Sequence, residues 1–438
     1  MPRRLALSLL IAWLAWIPMV SAQGPGPQGS PGPGYHGMAP GGPYTQGAGP
    51  CSDYRQVPML NEQFHPGAPG WDDDYESPLD LGIAETFHQT WFRTDYLWMN
   101  YRAPDSRFIG ATPLVIPPAV FDPRATFPAI DRVTGIRVNQ AGELVSLENA
   151  AHRNNNGLRL TMGIPTREFT WESSAFAMGQ SETNLQFAPF VDNNSFFLST
   201  VYPVIPLTRD GLPSDIDYVL FDQGMNIQVR SNLQGADTRF VFAALNPNVG
   251  LELAPLIGFN YLHYSNELLI RGDDLGTATS HRIESQANNN IFGPEIGFRL
   301  ESRSKWMTLG FQPKFTFGIN RMSNRVGTSQ IFTSGFVIDP ITFLPTTTPL
   351  EPDQFRKDTL TRFSPVIELE TFARFRLAEN LNLSIGYQFM ATSNMSLSEQ
   401  NIVWDSSSTL TDPPRIGLDH NRQTFWMQGI NVGLQWQF

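Results

Sequence analysis

The last fifteen residues, Thr424 to Phe438, read TFWMQGINVGLQWQF. Every second side chain is apolar: Trp426, Ile430, Val432, Leu434, Trp436 and Phe438, interrupted only by Gln428. Asn431, Gly433, Gln435 and Gln437 lie between them. A period of two over that length belongs to a β-strand with one apolar and one wet face. Such a strand must cover its apolar face with lipid or with a second sheet, and the rest of the chain decides between them.

Alternating segments fill the chain from about residue 88 onward. Phe92, Tyr96 and Trp98 oppose Arg93 and Asp95; Met225, Ile227 and Val229 oppose Asn226, Gln228 and Arg230. Phe292, Ile296, Phe298 and Leu300 oppose Glu295, Arg299 and Glu301. Leu309, Phe311 and Phe315 oppose Gln312 and Lys314, and Ile367, Leu369 and Phe375 oppose Glu368, Glu370, Arg374 and Arg376. Leu381, Leu383, Ile385, Tyr387 and Phe389 continue the theme. Gln234-Gly235-Ala236-Asp237 reads as a hairpin turn. Sandwich strands run ~5–6 residues, whereas membrane strands need ~9–11. Several segments here alternate for ten or more residues, which favours the membrane.

Connections near 165, 222, 246, 303 and 378 are short, and those after 101, 178, 264, 320 and 391 are long. That asymmetry matches short periplasmic turns and long external loops. The fold expected is all-β, a transmembrane antiparallel up-and-down barrel of about twelve strands, between ten and fourteen, behind a disordered leader. Closure follows from the solvent: in hydrocarbon each unpaired backbone group costs several kcal/mol. Pro294, Pro313 and Pro365 lack a ladder donor, so bulges or strand ends are expected there.

Composition agrees with this class. Charged residues are 16% of the 438, aromatics 12%, and the net charge is -11. The sequence pI is about 5.1 and the mean hydropathy -0.22. Low hydropathy argues against membrane helices but not against a barrel, whose strands are only half apolar. The acidic balance gives no support for nucleic-acid binding.

The N-terminus has the form of a secretory signal: Arg3 and Arg4, the apolar run Leu5 to Val20, and small residues before a cleavage site after Ala22. Residues 23–70 are Gly/Pro-rich and read as a disordered or extended tail. Residues 71–438 are assigned to the barrel with its outer loops. Cys51 is the only cysteine, so no intrachain disulfide is possible. Asp72, Asp73, Asp74 and Glu76 read as a solvated run without calcium-loop spacing.

With apolar faces turned to lipid, nine charges point into the lumen: Arg230, Glu295, Arg299, Glu301, Lys314, Glu368, Glu370, Arg374 and Arg376. Two readings compete. One is a water-filled passage whose charges bias small hydrophilic solutes. The other is a paired polar network filling a narrow, non-conducting barrel with a structural or surface-binding role. The long segments 102–156 and 321–361 are candidates to fold inward. Trp98, Trp306, Tyr387, Trp426 and Trp436, with Trp91 and Tyr101, lie near strand ends and are expected in interface girdles. Phe438 is the candidate C-terminal assembly signal. Expected partners are outer-membrane lipid and the barrel-assembly machinery acting on the terminal strand; the oligomeric state stays open.

Catalysis finds little support, because an envelope hydrolase needs a His beside a Ser or carboxylate. The seven His residues are scattered, and only Asp419-His420 forms a pair of note. No metal spacing or phosphate loop appears, so no cofactor is expected.

Three segments resemble the β-barrel porin family numbered seven, of planctomycete-type bacteria. They are Trp91 to Trp98, Asn289 to Arg299 with the Lys314 strand that follows, and Phe425 to Leu434. The resemblance implies an outer-membrane barrel behind a signal and a low-complexity leader, with no catalytic residues.

Overall fold

The terminal strand pairs antiparallel with the first barrel strand, from Trp91↔Gln437 to Tyr101↔Met427. That ladder closes the sheet. The computed structural model describes residues 90–101, 108–111, 126–130, 137–147, 150, 154–166, 168–192, 199–209, 212–245, 250–274, 279–330, 337–338, 345–346, 354–405, 416–418 and 422–438. The signal, the tail, Cys51, the acidic run and Asp419-His420 lie outside the described residues.

Thirteen ladder segments form the main sheet, and three strands are interrupted once, leaving ten around the barrel. These are β1 (Trp91–Tyr101), β2 (Asn155–Pro165), β3 (Phe169–Met178 and Ser181–Phe187), β4 (Met225–Phe242) and β5 (Glu252–Asp274). The rest are β6 (Thr279–Arg303), β7 (Met307–Thr316 and Ile319–Ser329), β8 (Gln354–Phe363 and Val366–Ala378), β9 (Leu381–Met395) and β10 (Gln423–Gln437). Each pairs antiparallel with its chain neighbour, which is the up-and-down order expected. The strand number falls at the lower bound of the expected range. Among the described residues no helix is long and apolar enough to cross a membrane, so crossing falls to the strands.

The connections differ from the sequence pattern in three ways. Gln234 to Asp237 is not a turn: β4 runs straight through it and pairs β5 from Met225↔Gly272 to Val241↔Leu256. The strands also run on past 264, 320 and 391, so β5 reaches Asp274 and the upper part of β7 reaches Ser329. The turn at 222 joins Leu212–Leu220, which is separate from the barrel sheet, to β4 and sits at the loop end. The physical reason is shared. Alternation reports two faces but not the point at which a strand leaves the membrane.

Pro365 separates the two segments of β8. Pro294 lies where the β6 ladder passes from one segment of β7 to the other, and Phe317 donates its N–H to the Pro294 carbonyl at 2.9 Å. Pro313 lies in a gap of the β6–β7 ladder between Gly297↔Lys314 and Leu300↔Phe311. All three prolines therefore sit where the ladder is interrupted.

The outer face divides by height. On β5 the outward side chains Leu253, Ile257, Phe259 and Tyr261 are followed by His263, Ser265 and Glu267. On β6 the outward set changes at the same level, Phe292 to Asn290, because Tyr261↔Phe292 and His263↔Asn290 are register partners. Apolar residues face lipid below that row and polar ones face water above it. On β10 the apolar face is bounded by Trp426 and Trp436, about 33 Å apart along the strand. Strand tilt reduces this to about 25 Å of height, the usual apolar band.

Above the band, β4 to β7 continue as a wall whose inner face is apolar. Met225, Ile227, Val229, Leu268, Ile270, Ile283 and Val326 pack there against Val145, Leu147, Ile205, Val219, Phe221, Ile402 and Trp404. Ile205 and Val219 belong to a five-stranded sheet that is separate from the barrel sheet. Burial that faces lipid lower down faces inward here, because the outside is water.

Candidate functional site: the barrel interior

Strand parity brings one layer of charged side chains together inside the membrane-spanning part. Arg159 on β2 holds Asp95 of β1 at 2.8 Å and reaches across the lumen to Glu370 of β8 at 2.8 Å. Arg93 bonds the same Asp95 at 3.0 Å and lies 3.8 Å from Glu370. Glu370 also accepts from Asn431 of the terminal strand at 3.3 Å. Gly433 on that strand leaves room for Asp95, since a Cβ there would stand 2.1 Å from Asp95 Oδ1.

A second knot is centred on Glu172 of β3. Arg299 of β6 grips it with both terminal nitrogens, at 2.8 and 2.6 Å, and Arg239 of β4 bonds it at 2.8 Å. Arg239 also holds Asp237 at 3.1 Å, and Arg299 donates to Gln312 at 2.7 Å. A third knot pairs Lys314 with Glu368 at 2.5 Å and with Glu295 at 3.6 Å, while Asn260 donates to Glu368 at 3.0 Å. Arg374 lies over the Phe372 ring at 4.2 Å and reaches Glu301 at 3.4 Å.

The charges nearly balance. Arg93, Arg159, Arg239, Arg299, Lys314 and Arg374 face Asp95, Glu172, Asp237, Glu295, Glu301, Glu368 and Glu370. Burial is deep: Asp95 and Glu295 are 0% exposed, Glu172 1% and Glu370 4%. Side chains lining an open aqueous channel stay wet; these are shielded by one another. A buried charge is tolerated only when paired and hydrogen-bonded, and four of the bridges, Arg159–Glu370, Arg93–Glu370, Arg299–Glu172 and Arg374–Glu301, join strands that are not neighbours in the sheet.

Seven of the nine expected lumen charges lie in this layer. Arg230 does not, and its placement is corrected. It points outward above the band and pairs with Glu182 at 3.1 Å, with both side chains more than a third exposed. Met225, Ile227 and Val229 take the inner face there, since water bathes the outside. Arg376 sits exposed at the near rim, next to the ladder irregularity between Arg376 and Ala378. Arg93, Asp95, Arg159, Glu172, Asp237 and Arg239 complete the layer and were not among the nine. Arg93 and Asp95 carried a usable signal, opposite Phe92 and Tyr96. Asp237 and Arg239 were hidden by the false turn, and Arg159 and Glu172 by weak patterning.

Above the charges the lumen is apolar. Leu97, Met99, Tyr101, Leu233, Leu262, Tyr264, Ile291, Met390, Phe425 and Met427 all turn inward and pack together. Tyr101, expected in a girdle, is 4% exposed, its ring 5.9 Å from that of Phe425. Trp91 also turns inward, its ring over Gly163, where no Cβ would fit. Trp98, Tyr387 and Trp436 face outward and are exposed, Trp426 faces outward half-buried, and Trp306 lies exposed in the 304–306 turn. Phe438 is exposed at the near rim, edge-on to Phe92 at 5.8 Å.

A third layer is a piece of backbone. After β9 the segment Ser396–Asn401 dips into the lumen, where Ser396, Ser398 and Asn401 are buried. Asn289 of β6 donates to the Ser396 carbonyl at 2.8 Å and accepts from its N–H at 2.9 Å. Ser285 donates to the Ser398 carbonyl at 2.6 Å, and Asn266 accepts from the Ser398 N–H at 2.9 Å. The segments expected to fold inward were 102–156 and 321–361. From the first, Ile109, Val145, Leu147 and Ala150 pack against the inner face of the upper wall; from the second, the upper parts of β7 and β8 extend the wall, while Val337–Ile338 and Pro345–Thr346 pair as a separate hairpin.

Fold and interior together define an outer-membrane-type β-barrel. The chain belongs to the family described as Putative beta barrel porin-7 (BBP7), whose model matches residues 91–438. No curated protein matches it. Among solved structures it is similar to the outer membrane protease OmpT from Escherichia coli, at 9% identity and a TM-score of 0.42 over 81% of this chain and 98% of that one. It is also similar to the Pseudomonas putida toluene transporter TodX, at 7% identity and a TM-score of 0.16 over 83% of this chain and 92% of that one.

Proposed function

We propose that the chain forms an outer-membrane barrel closed along its axis at rest, with a structural or surface-binding role. One observation carries this reading. Cross-lumen pairs, Arg159–Glu370 and Arg299–Glu172, tie opposite walls together in a layer buried from water. The apolar layer and the Ser396–Asn401 segment lie above it and support the same reading. The family match supports a non-enzymatic barrel. Expected partners are lipid around the apolar band and, at Phe438 and the terminal strand, the barrel-assembly machinery.

The porin description of the family favours a second reading, passive diffusion of small hydrophilic solutes through the charged lumen. That reading requires Ser396–Asn401 to leave the lumen and the cross-lumen pairs to part. Liposome swelling separates the two. Liposomes holding the folded full-length protein should swell in arabinose no faster than protein-free ones. Sustained swelling with the wild-type protein would favour diffusion and defeat the closed reading.

A further inference from the structure

The wall above the apolar band carries a basic surface that the interior does not use. Arg321 and Arg325 face outward on the upper part of β7, and Lys357 faces outward on β8 directly opposite Arg325. All three are exposed, and none is ion-paired among the described residues, in a chain of net charge -11. Like charges facing each other across a ladder repel, so Arg325 and Lys357 favour an anion between them. The Arg325 guanidinium lies 4.5 Å over the ring of Phe355, which fixes its position without a carboxylate.

Height selects the source of that anion. Ile319 and Phe363 are register partners, face outward, and are 44% and 55% exposed as the last apolar row of the band. Arg321 stands in the next outward row, about 7 Å further along the strand, and Arg325 and Lys357 about 20 Å along. Long cationic side chains reach back toward the membrane surface. Two tiers of cations about 13 Å apart along the strand suit a headgroup with phosphates at two depths better than a single phosphate. We infer that Arg321, Arg325 and Lys357 form a binding site on the outer wall for a diphosphorylated glycolipid headgroup of the outer leaflet. The inference stands apart from whether the lumen conducts.

Native mass spectrometry of the folded full-length protein in detergent tests it, with diphosphoryl lipid A, phosphatidylcholine and inorganic phosphate as probes. Lipid A should be retained in preference to phosphatidylcholine. The variant Arg321→Gln/Arg325→Gln/Lys357→Gln should lose about tenfold or more of that affinity. Arg282→Gln removes a cation on the same wall that already pairs with Glu284 at 2.8 Å, and it should leave lipid A binding unchanged. Equal retention of the two lipids, or a triple variant that binds as the wild type does, overturns the site. Displacement of lipid A by millimolar inorganic phosphate overturns the lipid reading in favour of a soluble anion. A heat-modifiable band on gels shows that each variant has folded.

Discussion

Glu370 is the residue through which both walls of the barrel meet, since Arg159, Arg93 and Asn431 converge on one of its oxygens. Glu370→Gln keeps the shape and removes the charge, leaving buried guanidinium groups short of a partner. We predict a loss of about 3 to 5 kcal/mol of stability, read as a lower urea midpoint for unfolding in detergent. Arg230→Gln breaks an exposed pair and should cost less than about 1 kcal/mol. Equal effects from the two would contradict the placement of Arg230 outside the lumen. The contrast shows where the sequence was legible. Arg93 and Asp95 could be assigned inward because Phe92, Tyr96 and Trp98 face lipid. Arg230 has the same alternation, but its apolar neighbours Met225, Ile227 and Val229 turn toward a protein core. The pattern is identical; the medium outside the strand differs, and no local residue reports it.

At the scale of elements, the terminal strand was readable throughout, face and length together, because Trp426 and Trp436 bound its apolar stretch. The break between the two parts of β8 was readable from Pro365. The plug was not: Ser396–Asn401 has no periodicity, and its partners Asn266, Ser285 and Asn289 lie more than a hundred residues away in sequence. Asn289→Ala should leave the Ser396 amide and carbonyl unpaired and cost about 1–3 kcal/mol. Hydrogen exchange should then rise at 396–401 before it rises in β6. Girdle and lumen aromatics are separable by lipid. In single-tryptophan proteins, brominated lipid should quench Trp98 and Trp436 strongly and leave Trp91 bright, since Trp91 lies inside over Gly163. Quenching of Trp91 equal to that of Trp98 would reverse the face assigned to β1.

For the whole molecule, closure of the sheet and filling of its interior are separate facts with separate causes. The sheet closes because β1 and β10 complete the ladder, leaving no edge for hydrocarbon to meet. The interior fills because ten strands enclose a narrow space, and ionic, apolar and backbone layers share it. Six cations against seven carboxylates leave little net field along the axis, so the charges act as cross-links between walls rather than as a selectivity device. Single-channel recording tests this account most directly. Folded wild-type protein in a planar bilayer should show no conductance steps at moderate voltage and neutral pH. Stable, long-lived openings of the wild-type protein under those conditions would contradict it.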